Sequence, residues 1–241
     1  MLTFKPWKIE SILQLLLGLF GGIAFAGILA QALGHAPAPG QLDHGMMLVG
    51  AITVHGAGLL WLNWFFRDHE LGWVSALGLR LRSIAGVLTA GALVGAVGFV
   101  VCSQLGVLMF RLLTDLEMAP ESQSTVLALQ QAVSLPWILM FGATSIVLAP
   151  IVEETLFRGI LFPVIHQSGY PKIAWWGTSL FFAFSHANLQ AMIPLTVLAL
   201  MLTWLYVKTD SLVAPIIAHG TFNAINFILT LQQGALSNVA R

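Results

Sequence analysis

Glu153 and Glu154 are adjacent carboxylates, and Arg158 follows four residues later, in a stretch from Pro150 to His166 that is otherwise almost wholly apolar. Charged side chains in apolar surroundings are expensive, so each needs a partner or a task. In a helix, Glu154 and Arg158 share one face with the acid nearer the N-terminus, the favourable order for an ion pair. Glu153 is rotated about 100° away and has no such intrahelical partner. The spacing therefore assigns Glu154 to Arg158 and leaves Glu153 as the free carboxylate, a residue type suited to general-base work. The competing reading is a buried ion cluster of all three that only fixes helix packing.

Two histidines further along complete a candidate site. His186 closes an apolar run, with Phe182 one turn earlier. His219 lies inside another run, with Asn223 one turn later on the same face. His219 and Asn223 together can donate two hydrogen bonds to a developing oxyanion, a large catalytic contribution in a dry site. Alternatively His186, His219 and Glu153 supply two nitrogens and one oxygen to a Zn2+ ion that keeps a position open for water. Asn226, three residues past Asn223, reads as a packing residue. A water held by Glu153 and a histidine, facing an oxyanion site, is an arrangement for amide hydrolysis.

Glu153-Glu154-x-x-x-Arg158, Phe182-x-x-x-His186 and His219-x-x-x-Asn223 resemble, in order, the three motifs of the CAAX protease and bacteriocin-processing family, related to the type II CAAX prenyl endopeptidases. The resemblance covers about residues 125–231. It implies an intramembrane endopeptidase with an eight-helix core. By that resemblance Glu153 and His186 activate water, and His219 and Asn223 hold the oxyanion. Glu154, Arg158 and Phe182 give structural support. Members are commonly labelled metalloproteases, and a metal-free glutamate mechanism has also been argued, so the resemblance allows zinc without requiring it. The implied substrate is a peptide or protein in or near the membrane, and a prenylated tail fits the family's best-known branch.

Composition sets the background for these residues. Of 241 residues, 58% are hydrophobic and 8% charged, with a mean hydropathy of +0.88. Soluble domains carry about 25% charged residues, so this chain reads as an integral membrane protein whose partner is the lipid bilayer. Its net charge is zero, and its basic residues are scattered, which argues against nucleic acid as a partner. The single cysteine, Cys102, excludes an internal disulfide and reads as a small core residue.

Hydropathy predicts an all-α polytopic membrane protein with about eight transmembrane helices in one bundle. The predicted spans cover about residues 9–34, 46–66, 83–113, 125–149, 151–166, 172–186, to 207 for the seventh, and 211–231. Pro150 is expected to break the fourth from the fifth. Residues 1–34 read as a retained helix rather than a cleaved signal, because the apolar stretch is too long for a signal core. Gly18-x-x-x-Gly22 and Gly91-x-x-x-Gly95 predict close helix approach. His35 and His44 read as loop residues, and His55 as a histidine bonded across to a neighbouring helix. His69-Glu70 lacks the second histidine of a zinc-protease helix. The acidic stretch with Asp115, Glu117 and Glu121 reads as a solvated loop.

The chain divides into N-terminal helices and loops (1–124), a catalytic core (125–231) and a tail (232–241). Lysine and arginine bias puts the N-terminus and the loop from Arg67 to Arg82 on the cytoplasmic side of what reads as a bacterial inner membrane. Lys172 and Lys208 fall on the opposite side by an eight-span count. Besides the peptidase, two other classes fit: a non-enzymatic family member acting in bacteriocin immunity or as a scaffold, and a proton-relay transporter, for which the chain shows no inverted repeat.

Overall fold

A computed structural model describes residues 3–32, 44–78, 84–119, 124–130 and 134–239. Those residues are overwhelmingly helical, without a strand among them. The elements are α1 (Ile9–Ala32), α2 (His44–Asp68), the single turn α3 (Trp73–Ala76), α4 (Ile84–Asp115), α5 (Ser124–Gln130), α6 (Leu135–Gln167), α7 (Pro171–Ser185), α8 (Met192–Thr209) and α9 (Val213–Val239). His35, Arg80, Arg82 and Glu121 lie outside the described residues.

The all-α membrane class holds, but the span count is about four rather than eight. Among the described residues, α4, α6, α8 and Val213–Gly234 of α9 are long and apolar enough to cross a bilayer. One difference is α6, which joins residues 135–149 of the predicted fourth span to the fifth in a continuous helix of 33 residues. Helix α7 has the predicted length, but its 15 residues make about 22 Å of helix against a hydrocarbon thickness of about 30 Å, too short for a full span. In α1, the described apolar length is Ile9–Gly22.

Pro150 does not break α6 because the helix widens around it. Thr144–Leu148 and Thr155–Leu161 are π-helical turns on either side of Ala149–Glu154. Such turns shift the hydrogen-bond register from four residues to five and recur at functional sites. Proline has no N–H to give, so carbonyls are left open on its N-terminal side. Other segments close on them. Asn223 of α9 donates through Nδ2 to the carbonyl of Ser145, five residues before Pro150, at 2.7 Å. Trp7 donates its indole N–H to the carbonyl of Gly159, four residues before Pro163, at 2.8 Å.

Glycine lets α4 and α9 close. A Cβ on Gly91 would lie 2.8 Å from the Ala214 carbonyl, and one on Gly95 would strike the Ala218 carbonyl. The second Gly-x-x-x-Gly motif thus packs as expected. In the first, only Gly18 is pressed, against the Trp61 ring, while Gly22 faces open space. Cys102 is buried and donates to the Pro194 carbonyl at 3.2 Å, the core role its surroundings suggest.

One end of the bundle is tied together by polar contacts and a small apolar cluster. Thr3 donates its backbone N–H to Asp210 at 2.9 Å, Lys5 reaches the Ala76 carbonyl at 3.3 Å, and Lys8 donates its backbone N–H to His69 at 2.9 Å. The Leu212 N–H bonds the Leu77 carbonyl at 3.0 Å. Phe162, Ala174, Tyr206 and Leu212 pack together there. Lys5, Lys8, Arg67, Lys172 and Lys208 therefore share this end. The expected split of Lys172 and Lys208 from the N-terminal lysines is corrected, because merging two predicted spans into α6 changes which loops face the same way.

Candidate active site

Helix α6 presents its two glutamates in different directions, as the spacing requires. Glu154 is fully buried, with Oε1 2.8 Å from Arg158 Nη1. Arg158 is also buried. Its Nη2 donates to the Ala199 carbonyl at 3.0 Å and its Nε to Thr203 Oγ1 at 3.4 Å. Thr203 in turn donates to the Ala199 carbonyl at 2.9 Å. The cation is thus fixed by an acid on its own helix and two groups on α8, which suits a charge that burial would otherwise penalise.

His219 of α9 joins this network through one nitrogen. Its Nδ1 lies 2.9 Å from Glu154 Oε1. A carboxylate oxygen accepts, so Nδ1 carries the hydrogen and Nε2 is the nitrogen that faces outward. Nε2 lies 4.0 Å from Oε2 of Glu153. Among the described residues, that Oε2 is buried and has no hydrogen-bond partner. With Nδ1 committed to Glu154, Nε2 donates only as the imidazolium; in the neutral ring it accepts.

His186 is oriented by the end of its own helix. Its Nδ1 lies 2.8 Å from the Phe182 carbonyl, one of the acceptors left open where α7 stops. Nε2 is again the outward nitrogen. His186 sits within electrostatic reach of Glu153. Helix α7 stops after 15 residues, and the stretch after it is irregular, with Ala187 at φ 48°. Asn188 helps close the turn by accepting the Ala191 N–H at 2.8 Å.

Phe182 is the apolar hub among these groups. Its ring is fully buried and lies 4.8 Å from the Arg158 guanidinium carbon. The His186 ring is 4.8 Å away and the His219 ring 5.7 Å away. Asn223 spends one amide hydrogen on the Ser145 carbonyl, which fixes the amide and leaves its second N–H for another acceptor. Asn226 bonds its own helix at Phe222, 3.1 Å away, and is exposed.

One residue of the site has no place in the three motifs. His55 of α2 brings Nε2 to 3.6 Å from Glu153 Oε1. The sequence expectation of a cross-helix bond was sound, but it named no partner. The usable signal was an imidazole alone in an apolar span, which seeks a polar group on a neighbour. His69, by contrast, serves a helix end: its Nδ1 meets the Phe65 carbonyl at 2.8 Å.

Among the described residues, no three His, Cys, Asp or Glu side chains stand close enough together to hold a metal ion. Glu153, His186 and His219 as arranged are not such a set.

A buried acid–arginine pair, a second carboxylate and two histidines with outward nitrogens thus stand together within a helical membrane protein. Residues 135–225, which contain all three motifs, match the family described as type II CAAX prenyl endopeptidase Rce1-like. That similarity covers 91 of the 241 residues. A Bacillus subtilis (strain 168) protein named "Putative membrane peptidase YdiL" is 31% identical over 112 residues, 46% of this chain and 45% of that protein. An Escherichia coli protein named "Uncharacterized 24.3 kDa protein" is 34% identical over 92 residues, 36% of this chain and 42% of that one. The match thus spans less than half the length of either curated relative. No solved structure matches the chain.

Proposed function

We propose that this protein is an intramembrane endopeptidase that hydrolyses a peptide bond of a membrane-associated substrate with a water activated by Glu153. The observation that carries this reading is the division of labour between the two glutamates. Glu154 Oε1 is shared by Arg158 and His219, whereas Glu153 stands outside that ion pair, with its unpartnered Oε2 4.0 Å from the outward nitrogen of His219.

In this reading Glu153 takes a proton from water as the water oxygen bonds to the peptide carbonyl carbon. His186 accepts the second water hydrogen through Nε2 and so orients the attack. The carbonyl oxygen, now anionic, receives hydrogen bonds from the free N–H of Asn223 and from Nε2 of protonated His219. Glu153 then passes its proton to the amide nitrogen as the C–N bond breaks, releasing a carboxylic acid and an amine. The irregular stretch after α7 offers a route for water. The shared end carrying Lys5, Lys8, Arg67, Lys172 and Lys208 favours that end as cytoplasmic. A bacterial inner membrane is the proposed location, in keeping with the bacterial relatives. A prenylated tail is the first substrate class to try.

The decisive variant is Glu153→Gln in proteoliposomes supplied with a membrane peptide library. Loss of cleavage by about 100-fold or more, with an unchanged unfolding midpoint, supports the base role, and normal cleavage overturns it. Metal content of the same preparation, beside a His186→Ala/His219→Ala double variant, reads whether zinc takes part. About one zinc per chain, lost in the double variant, would replace the metal-free scheme with a metal site.

A further inference from the structure

We infer that His55 is a positioning residue for Glu153, holding one carboxylate oxygen so that the other is presented to the reaction. The two imidazoles nearest Glu153 address different oxygens: His55 Nε2 is 3.6 Å from Oε1, and His219 Nε2 is 4.0 Å from Oε2. A carboxylate gripped on Oε1 cannot rotate about its last torsion without losing that contact. Oε2 is thereby kept on the side of His219 and His186.

The contact is built into the packing of α2 on α6. Gly58, one turn after His55, lies where a Cβ would stand 2.7 Å from Val152 Cγ1. Val152 immediately precedes Glu153. The same face of α2 continues through Leu62, Phe65 and Phe66, all buried. The glycine thus sets the distance at which α2 passes the catalytic helix, and the histidine on that face reaches the carboxylate. His55 lies outside residues 135–225, so the N-terminal half of the chain contributes to the site rather than only enclosing it. The charged and titratable groups around Glu153 are His55 from α2, His186 from α7, His219 from α9, and Glu154 and Arg158 on its own helix. His55 addresses Oε1, and His219 meets Oε2.

This inference rests on the reading of Glu153 as the base, so its test does not depend on cleavage. Dicyclohexylcarbodiimide modifies carboxyl groups in apolar surroundings through their protonated form. The rate at which it labels Glu153 is followed by mass spectrometry on the full chain in detergent, from pH 5 to 8. His55→Phe, similar in bulk but unable to pair, is expected to change the labelling rate at neutral pH by about tenfold, the equivalent of one unit of proton affinity. His55→Gln, which keeps a donor, is expected to lie between it and wild type and serves if the phenylalanine variant fails to fold. Labelling in both variants within twofold of wild type across the range overturns the inference. Altered labelling together with undiminished cleavage by Glu153→Gln keeps the pairing and removes the base role instead. With a cleaved peptide in hand, His55→Phe is expected to lower kcat and leave KM unchanged.

Discussion

The Nδ1 of His219 and Oε1 of Glu154 are 2.9 Å apart, and Arg158 meets that same oxygen at 2.8 Å. One buried oxygen therefore serves both the ion pair and the imidazole that faces Glu153. Removing the cation leaves Glu154 uncompensated and loosens the hold on His219. Arg158→Gln is expected to lower stability by about 3–5 kcal/mol, the usual penalty for breaking a buried pair. Thermal unfolding in detergent measures it. A change under about 1 kcal/mol would show that the pair does not anchor α6 to α8 and α9.

Asn223 and Pro150 are coupled through the Ser145 carbonyl. Asn223→Ala leaves that acceptor without its donor and is expected to cost about 1–3 kcal/mol. Pro150→Ala supplies a backbone N–H within reach of the same turn. The cost of Asn223→Ala should then shrink by about 0.5 kcal/mol or more in the Pro150→Ala background. Strictly additive costs would mean that the amide does not stand in for the missing donor.

Gly58 and Gly56 should respond in opposite directions. Gly58→Val drives side-chain atoms into Val152, with an expected loss of about 1–3 kcal/mol, partly recovered by Val152→Ala. Gly56 faces open space, so Gly56→Ala is expected to gain about 0.5–1 kcal/mol from helix propensity alone. Equal effects at the two positions would contradict the close passage of α2 over α6.

Trp7→Phe keeps the aromatic packing against Phe65, whose ring centre is 5.1 Å away, but removes the donor to Gly159. A loss of about 1–3 kcal/mol is expected, and it should be smaller when Pro163→Ala is also present. No loss in the single variant would show the indole bond to be dispensable.

Much of the site was legible in the sequence because helix periodicity and the cost of buried charge are local rules. The four-residue spacing paired Glu154 with Arg158 and set Glu153 apart. The residues at 182, 186, 219 and 223 stood out as polar or aromatic groups one turn apart in apolar runs. What the sequence did not yield depends on contacts between helices. Pro150 reads as a break when only the four-residue register is considered; the π turns around it, and a donor 73 residues away at Asn223, let α6 run on. His55 was visible as an isolated imidazole, but its register against Glu153 is set by Gly58 meeting Val152. That is a relation between two helices, with no signature in either alone. The eight-span expectation failed for a similar reason: hydropathy does not reveal that α6 runs on through Pro150.

The two carbonyls opened by prolines in α6 are closed by residues from opposite ends of the chain, and this bears on the order in which the protein is made. Trp7 is synthesised well before Gly159, so that donor is waiting when α6 enters the membrane. Asn223 and His219 arrive with the last helix. Until then the turn at Ser145 lacks its partner and Glu154 has only Arg158. On the proposed reading of Glu153 as the base, a nascent chain becomes competent only when α9 docks.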